Sequence, residues 1–458
     1  MSTREREAVV IGAGLTGLTC AMHLKELGID VEILEKENRI GGLMQTEEVD
    51  SFIFEQGPST GTVKHPEVAE LFDRLGEQCT FEPASVSAEC RLIWKGNRFY
   101  ALPSGLLSAI TTPLFTLKDK LRILGEPWRN KGTDPNESVG SLAERRLGKS
   151  FVDYAVDPFL SGVYAGDPYS LPTRLALPKL YHLEQQYGGF VRGSMALAKK
   201  KKSIRDKRAT KEVFSTVGGF RSLINALGTA VGLDNISLER DNITINLDNG
   251  KYVITCGDEQ IIANYLITTC PSYALPSLLQ FIPQAQLDTL NNLYYAPVIE
   301  IGVGIKHTGN VKWNAFGGLV PSHEKKDILG ILMPSACFTN RSPEGGATYA
   351  YFIGGAKHPE HLNKTDAELE QLVNQSLHLM LGYPQGTCAD VIRIYRHKYA
   401  IPQYTLSTDA RLSTIETLQQ QHLGLYIAGN LRDGIGMGDR IKQAIDVAEA
   451  IASTKNKA

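Results

Sequence analysis

The chain is 458 residues long, 42% hydrophobic and 21% charged. That length exceeds what one hydrophobic core ordinarily serves, so two or three domains are expected, and the composition is that of a globular protein. A formal net charge of -2 argues against nucleic acid as a partner, since phosphate neutralisation needs a clear cationic excess, and the seven scattered cysteines, without a CxxC pair, read as free thiols of a reducing compartment.

The opening MSTREREAVVIGAG enters a strand pattern at once, leaving no room for a signal peptide. No run reaches the ~20 apolar residues of a bilayer span, so a soluble or peripherally attached chain is expected. Ala8 to Ile11 predict a short strand. Gly12, Gly14 and Gly17 follow as GxGxxG, with Ala13 and Thr16 between them. Helical spacing runs from Leu15 to Leu27 and stops at Gly28; a second strand, Asp30 to Leu34, ends at Glu35 and Lys36. In this setting the glycines have separate uses: a tight turn, close approach of backbone to a pyrophosphate, and close packing of helix on strand. The helix N-terminus offers N–H groups and partial positive charge to phosphates. An acid ~20 residues further on takes the ribose hydroxyls, which is the place of Glu35 and disfavours a 2′-phosphate.

NRIGGLMQT then supplies Arg39, Gly41 and Gly42, and FEQGPST supplies Gly57, Ser59 and Thr60. GxGxxG, an acid, then R-x-GG resembles the FAD-binding half of the amine oxidase and phytoene desaturase superfamily. The resemblance implies an extended FAD whose pyrophosphate also meets the second glycine pair. No residue stands out for covalent attachment, so noncovalent FAD is expected.

Residues 101 to 190 differ in character. LPSGLLSAITTPLFTLKDKLRILGEPW has apolar helical periods broken by prolines and reads as a lid, a membrane-surface patch or an ordinary packed subdomain. DPFLSGVYAGDPYSLP, Asp157 to Pro172, reads as proline-bounded turns of small residues with no His, Cys, Lys or Arg. KKKKSIRDKR, Lys199 to Arg208, reads as a solvated loop, with lipid headgroups as the functional alternative.

VFSTVGGFRSLINALG predicts a turn and a helix, and NITINLDNGKYVIT a hairpin around Asp248-Asn249-Gly250. Ile243 there is the candidate to offer strand backbone to adenine. APVIEIGVGIK, DILGILM and ATYAYFIGG predict strands, followed by a helix whose capping box is Thr365 and Glu368. His358 and His361, in HPEH, read as surface residues, and no metal site is expected. GLYIAGNLRDGIGMGDRIKQAIDVAEAIA repeats the strand, glycine turn and helix order at the C-terminus. Gly429, Ile435, Gly436 and Met437 are its candidate cofactor contacts, with a helix from about Asp439.

DPFLSGVYAGDP, FGGLVPSHEKKDILGILMPSACF and AIPQYTLS together resemble the protoporphyrinogen oxidase family, from Val9 to about Ala450. The resemblance implies three two-electron oxidations of a porphyrinogen by FAD, with oxygen as acceptor. Hydride leaves a meso methylene for the flavin while a pyrrole N–H proton is lost, and no side-chain base is implied. It implies that Gly162 offers its backbone to the pyrrole nitrogens and that Phe316 and Leu319 sandwich the macrocycle. Gly162 and Gly166 would permit that approach while Pro158, Pro168 and Pro172 stiffen the frame. Two positions depart from the family pattern. Leu107 stands where a basic residue often meets a propionate, with Arg98 as the nearby substitute, and IPQYTLS lacks the glycine and histidine that commonly follow.

The expected fold is α/β: a Rossmann-like FAD-binding domain (residues 1–85, 209–285 and 400–458), an inserted α+β substrate domain (286–399) and a helical, membrane-facing subdomain (86–208). The expected partners are a porphyrinogen (protoporphyrinogen IX favoured, coproporphyrinogen III the alternative), oxygen, a membrane surface, a chelatase that takes the product, and a second copy in a homodimer. The expected location is the cytoplasm, peripheral on the cytoplasmic membrane. The alternatives are a flavin amine oxidase, a phytoene desaturase-like oxidoreductase, and a lipid carrier on the same fold. GIGMGDRI weighs against the first, SGVYAGDP against the second, and Glu35 with the second glycine pair against the third.

Overall fold

The computed structural model describes residues 2–199 and 201–455; Lys200, within the basic run, lies outside them. A seven-stranded sheet is built around the parallel strands Val31–Leu34, Ser2–Ile11 and Glu259–Thr268. Ile236–Ser237 extends one edge in parallel. On the other side, Glu259–Thr268 pairs along its first half with the antiparallel hairpin strand Lys251–Cys256, and along its second half with Leu425–Ile427, in parallel. Asn249 and Gly250, both at positive φ, form the two-residue hairpin loop between Ile243–Asp248 and Lys251–Cys256, as the Asn-Gly signal predicts. The helices Leu15–Glu26, Arg221–Val231 and Met437–Lys455 cover one face, sharing a core with Ala8, Val10 and Ile33. Both chain ends therefore contribute to one nucleotide-type domain, and the middle is inserted between them.

A second seven-stranded sheet runs in the order Val391–Pro402, Tyr295–Ile305, Ala347–Gly354, Ile328–Leu332, Gly317–Leu319, Arg91–Lys95, Arg98–Ala101. Ile299, Ile301, Val303, Tyr351 and Ile353 point from one face into a core with Leu369, Val373 and Leu377 of the helix Asp366–Leu379. That helix begins with the reciprocal Thr365–Glu368 capping box read from the sequence.

Two boundaries differ from expectation. The hairpin of residues 91–101, expected in the helical segment, joins the second sheet, because Arg91–Lys95 pairs in parallel with Gly317–Leu319. Asp157–Val163 is a helix and not a turn: it continues directly from a π-helical turn, Val152–Val156, and that irregularity accommodates Pro158, which has no backbone N–H to give to a regular helical ladder. The turn comes only after it, at Ala165, with φ of 50°.

Candidate functional site

The first helix starts at Leu15 with extended Gly14 before it, no side-chain cap and no acid in its first turn. Its leading N–H groups are thus left for phosphate oxygens. A side chain at Gly12 would meet Thr269 Oγ1 at 2.9 Å and one at Gly17 would strike the Gly12 carbonyl, whereas nothing lies within 4 Å of where a Gly14 side chain would stand. Two of the three glycines are set by packing, and the third bares backbone toward open space. The second glycine pair docks on this loop: Gly41 N–H donates to the Ala13 carbonyl at 2.8 Å, Gly14 and Gly41 form a β-bridge, and Arg39 Nη1 donates to the Gly42 carbonyl at 3.0 Å. Glu35 is buried and accepts from the N–H of Ala13 at 2.7 Å and of Glu37 at 3.0 Å. Each carboxylate oxygen keeps lone-pair capacity for a ribose hydroxyl. Thr16 is buried in the first helix, Ile243 packs in one cluster with Leu34, and Lys36 projects to the surface beside Glu37.

The C-terminal segment closes on the same loop. Gly429 N–H donates to Gln443 Oε1 at 2.8 Å, and its carbonyl takes the Arg440 guanidinium. A side chain at Gly429 would meet the Thr269 carbonyl at 3.0 Å. Thr269 Oγ1 donates to the carbonyls of Ile11 and Gly12 at 3.0 and 3.1 Å, so one threonine absent from the sequence pattern joins the two glycine loops. Ile435 and Gly436 lead into the helix that starts at Met437, two residues earlier than expected. In its first turn Asp439 is bonded to His65 at 2.8 Å and to Lys64. Burial works to raise that carboxyl, but the two basic partners hold it below its usual range.

Gly57 and Thr60 flank Ser59, which reaches the second domain, where its Oγ donates to Glu300 Oε1 at 2.9 Å. Glu300 lies on the sheet face turned away from the Asp366–Leu379 helix. Register pairs align it across the strands in one row: Tyr395, Glu300, Phe352, Gly330, Leu319, Ile93. Directly paired residues share a face. The helix Asp157–Val163 crosses this row at Gly162, whose missing side chain leaves room for Leu319 Cδ2 and lies near the Leu329 carbonyl, 3.6 Å from a Cβ placed there. Gly162 and Leu319 are therefore together. Phe316 is not with them: it packs with Ala88, Cys337 and Phe338 under the Arg91 guanidinium, 5.6 Å from its ring centre. Three residues of extended chain, ~10 Å, separate it from Leu319. Arg98 stands at the exposed sheet edge, its guanidinium 4.6 Å from the Tyr100 ring centre.

Asp157 braces this wall. Its carboxylate accepts from Ser322 N–H at 2.7 Å and Ser322 Oγ at 3.0 Å, and pairs with Lys357. Glu300 and Phe352 were missing from the sequence-derived set. The available signal was one acid, Glu300, in the otherwise apolar run APVIEIGVGIK.

Among the described residues, His358, Glu360 and His361 lie close enough to share an ion. His358 and Glu360 are exposed and in contact at 3.1 Å, whereas His361 is mostly covered, its Nδ1 buried without a partner.

A nucleotide loop made by both chain ends, joined to a sheet-walled second domain, defines a flavoprotein oxidoreductase. The chain belongs to the flavin-containing amine oxidoreductase family, whose pattern matches residues 15–452. Its cofactor is a flavin, and the glycine loops and Glu35 fit FAD. Within that family it is similar to protoporphyrinogen oxidase 2 (chloroplastic/mitochondrial) of Arabidopsis thaliana, 28% identical over 482 residues, covering 98% of this chain and 94% of that one. It is also similar to coproporphyrinogen III oxidase of Bacillus subtilis, 25% identical over 480 residues and 97% of both chains. Among solved structures, a candidate protoporphyrinogen oxidase from Exiguobacterium sp. superimposes with a TM-score of 0.81 at 22% identity, over 98% of this chain and 99% of that chain. Reduced UDP-galactopyranose mutase gives 0.74 at 17% identity, over 99% and 94%. At these identities the structural likenesses carry the fold.

Proposed function

We propose that this chain oxidises a porphyrinogen to a porphyrin with noncovalent FAD and oxygen, within haem biosynthesis, protoporphyrinogen IX being the favoured substrate. The observation that carries this reading is the end-to-end likeness to porphyrinogen oxidases together with the Gly162 crossing over the Leu319 row. FAD, when bound, supplies the two-electron acceptor of each round. The chain's own task is then positioning. Leu319, Phe352 and Gly330 give a flat, mostly apolar wall, and the Gly162 backbone comes close without a side chain in between. Aromatisation drives the reaction, so holding the macrocycle in register accounts for more of the rate than side-chain acid–base work.

Residues 209–285 and both termini act as the FAD domain in this reading, 286–402 with the 91–101 hairpin as the substrate domain, and 102–208 as the helical cover. Peripheral membrane attachment is part of the proposal. Leu107, Leu117, Leu121, Leu124 and Trp128 are each more than 60% exposed on this cover, an apolar patch of the kind that marks a membrane or partner surface. Among the described residues no helix is long and apolar enough to cross a membrane. The test is a steady-state assay of purified, flavin-loaded protein on protoporphyrinogen IX and coproporphyrinogen III in parallel, following porphyrin fluorescence and hydrogen peroxide. Faster turnover of protoporphyrinogen IX is expected. Turnover of neither would overturn the reading.

A further inference from the structure

Glu300 is the only charged residue of the strand Tyr295–Ile305, which is buried along its whole length. An ionised carboxylate in such a place requires a cation or several donors. Among the described residues it has a single hydrogen-bond donor, Ser59. Every neighbouring element offers another acid, a neutral group or a cation already engaged. Glu55, on Phe52–Glu55, accepts from Phe220 N–H and Thr46 Oγ1. Tyr395, paired with Glu300 on the adjacent strand, donates to Glu47, which also holds Arg393. Arg341 is committed to Glu82. His397, two residues along from Tyr395, has Nε2 buried without a partner, and burial lowers its proton affinity. Glu55, Ser59 and Arg341 line a cavity of about 10 Å³, room for about one water.

We propose that Glu300 is a positioning residue of the flavin site: a carboxyl kept neutral, which takes the Ser59 O–H and so fixes the Gly57–Thr60 segment beside the cofactor, and which disables the site when it ionises. This rests on the segment Gly57 to Thr60 bordering the flavin. Burial, opposed only by the Ser59 bond and reinforced by the Glu55 charge, pushes the Glu300 carboxyl well above the usual range. The neutral acid has one oxygen to accept from Ser59 and an O–H to donate. The ionised form would place negative charge beside the segment that would border the flavin, and like charges oppose each other strongly in a desolvated site, so it would disfavour reduction.

The test needs no porphyrinogen. The reduction potential of the bound flavin is measured by dye equilibration from about pH 5 to 9 in the wild type, E300Q and, as a second non-ionising variant of similar size, Glu300→Met. The wild type is expected to bend: above the ionisation of Glu300, reduction takes up an additional proton and the potential falls more steeply with pH. Both variants are expected to lose the bend. A wild-type curve without the bend, or a bend that persists in whichever variant retains flavin, would overturn the proposal. In parallel, the alkaline limb of porphyrinogen turnover should disappear in E300Q. If potentials behave as described and no variant turns over a porphyrinogen, it is the substrate reading that fails and the role of Glu300 that stands.

Discussion

Gly162 leaves room for Leu319 to pack, and in the proposed reading it also keeps the backbone open to the macrocycle. A valine there would push Leu319 Cδ2 aside into the proposed site, while the nucleotide loops lie in the other domain. Gly162→Val is therefore expected to keep its flavin and lose roughly 100-fold in porphyrinogen turnover, the scale on which ~1 Å of misplacement acts. Flavin absorbance per protein and an initial-rate assay check this, and near-normal turnover would return Gly162 to a packing role alone. Asp157→Asn is the contrasting change. It removes the charge facing Lys357 and weakens the bonds from Ser322, so about 1–3 kcal/mol of stability should be lost, read from denaturant midpoints, with turnover per folded molecule little altered. Glu55 gives a pH signature. Burial raises its carboxyl to about 7 despite the Phe220 and Thr46 bonds, against ~4.3 in an unfolded chain. Between those values the folded state binds more protons, so acidification across this window favours folding and alkalinisation costs stability. The melting temperature of Glu55→Gln should fall less than that of the wild type between about pH 5 and pH 8; parallel curves would contradict the assignment. At this scale the legible residues were those with local motifs, Gly12 through Gly42. Glu300 and Phe352 were not, because the row they occupy is assembled from strands far apart in the chain, and a single acid in an apolar run announces nothing without its cross-strand neighbours.

Elements were legible where side-chain chemistry and period agreed. The Asn249-Gly250 hairpin and the Thr365 capping box formed as their sequences dictate. Asp157–Val163 did not, since its prolines, glycine and small residues imitate a turn. Helix Asp157–Val163 forms instead as the continuation of the π-helical turn that leads into it and accommodates Pro158, and π-helical turns often mark functional sites. The helix Leu117–Leu124 exposes Leu117, Leu121 and Leu124, at 74, 62 and 65%, along one face at i, i+4 and i+7, with Thr116 and Asp119 capping its start. If that face meets lipid, replacing the three leucines by serine should abolish most sedimentation with anionic vesicles. Salt should weaken only the contribution of the basic run near Lys201. Equal sedimentation of both proteins would make the helix an ordinary cover.

Over the whole molecule, the α/β flavoprotein fold was readable because both chain ends carry strand, glycine turn and helix in order. The domain edges were less so. The 91–101 hairpin sits next in sequence to the exposed helices yet hydrogen-bonds to Gly317–Leu319, a pairing that no local pattern encodes. Thr269, which joins the two glycine loops, and Gln443, which holds the C-terminal one, likewise belong to the assembled fold. The central claim, that these loops hold a flavin which takes electrons from a porphyrinogen set against the Gly162–Leu319 wall, is tested most directly by anaerobic mixing. Purified yellow protein is combined with protoporphyrinogen IX in a stopped-flow cell, and flavin absorbance and porphyrin fluorescence are followed together. Bleaching of the flavin in step with the first oxidation, and its recovery on admitting oxygen, is the result this account predicts. A flavin that stays oxidised over many minutes in excess porphyrinogen would contradict it.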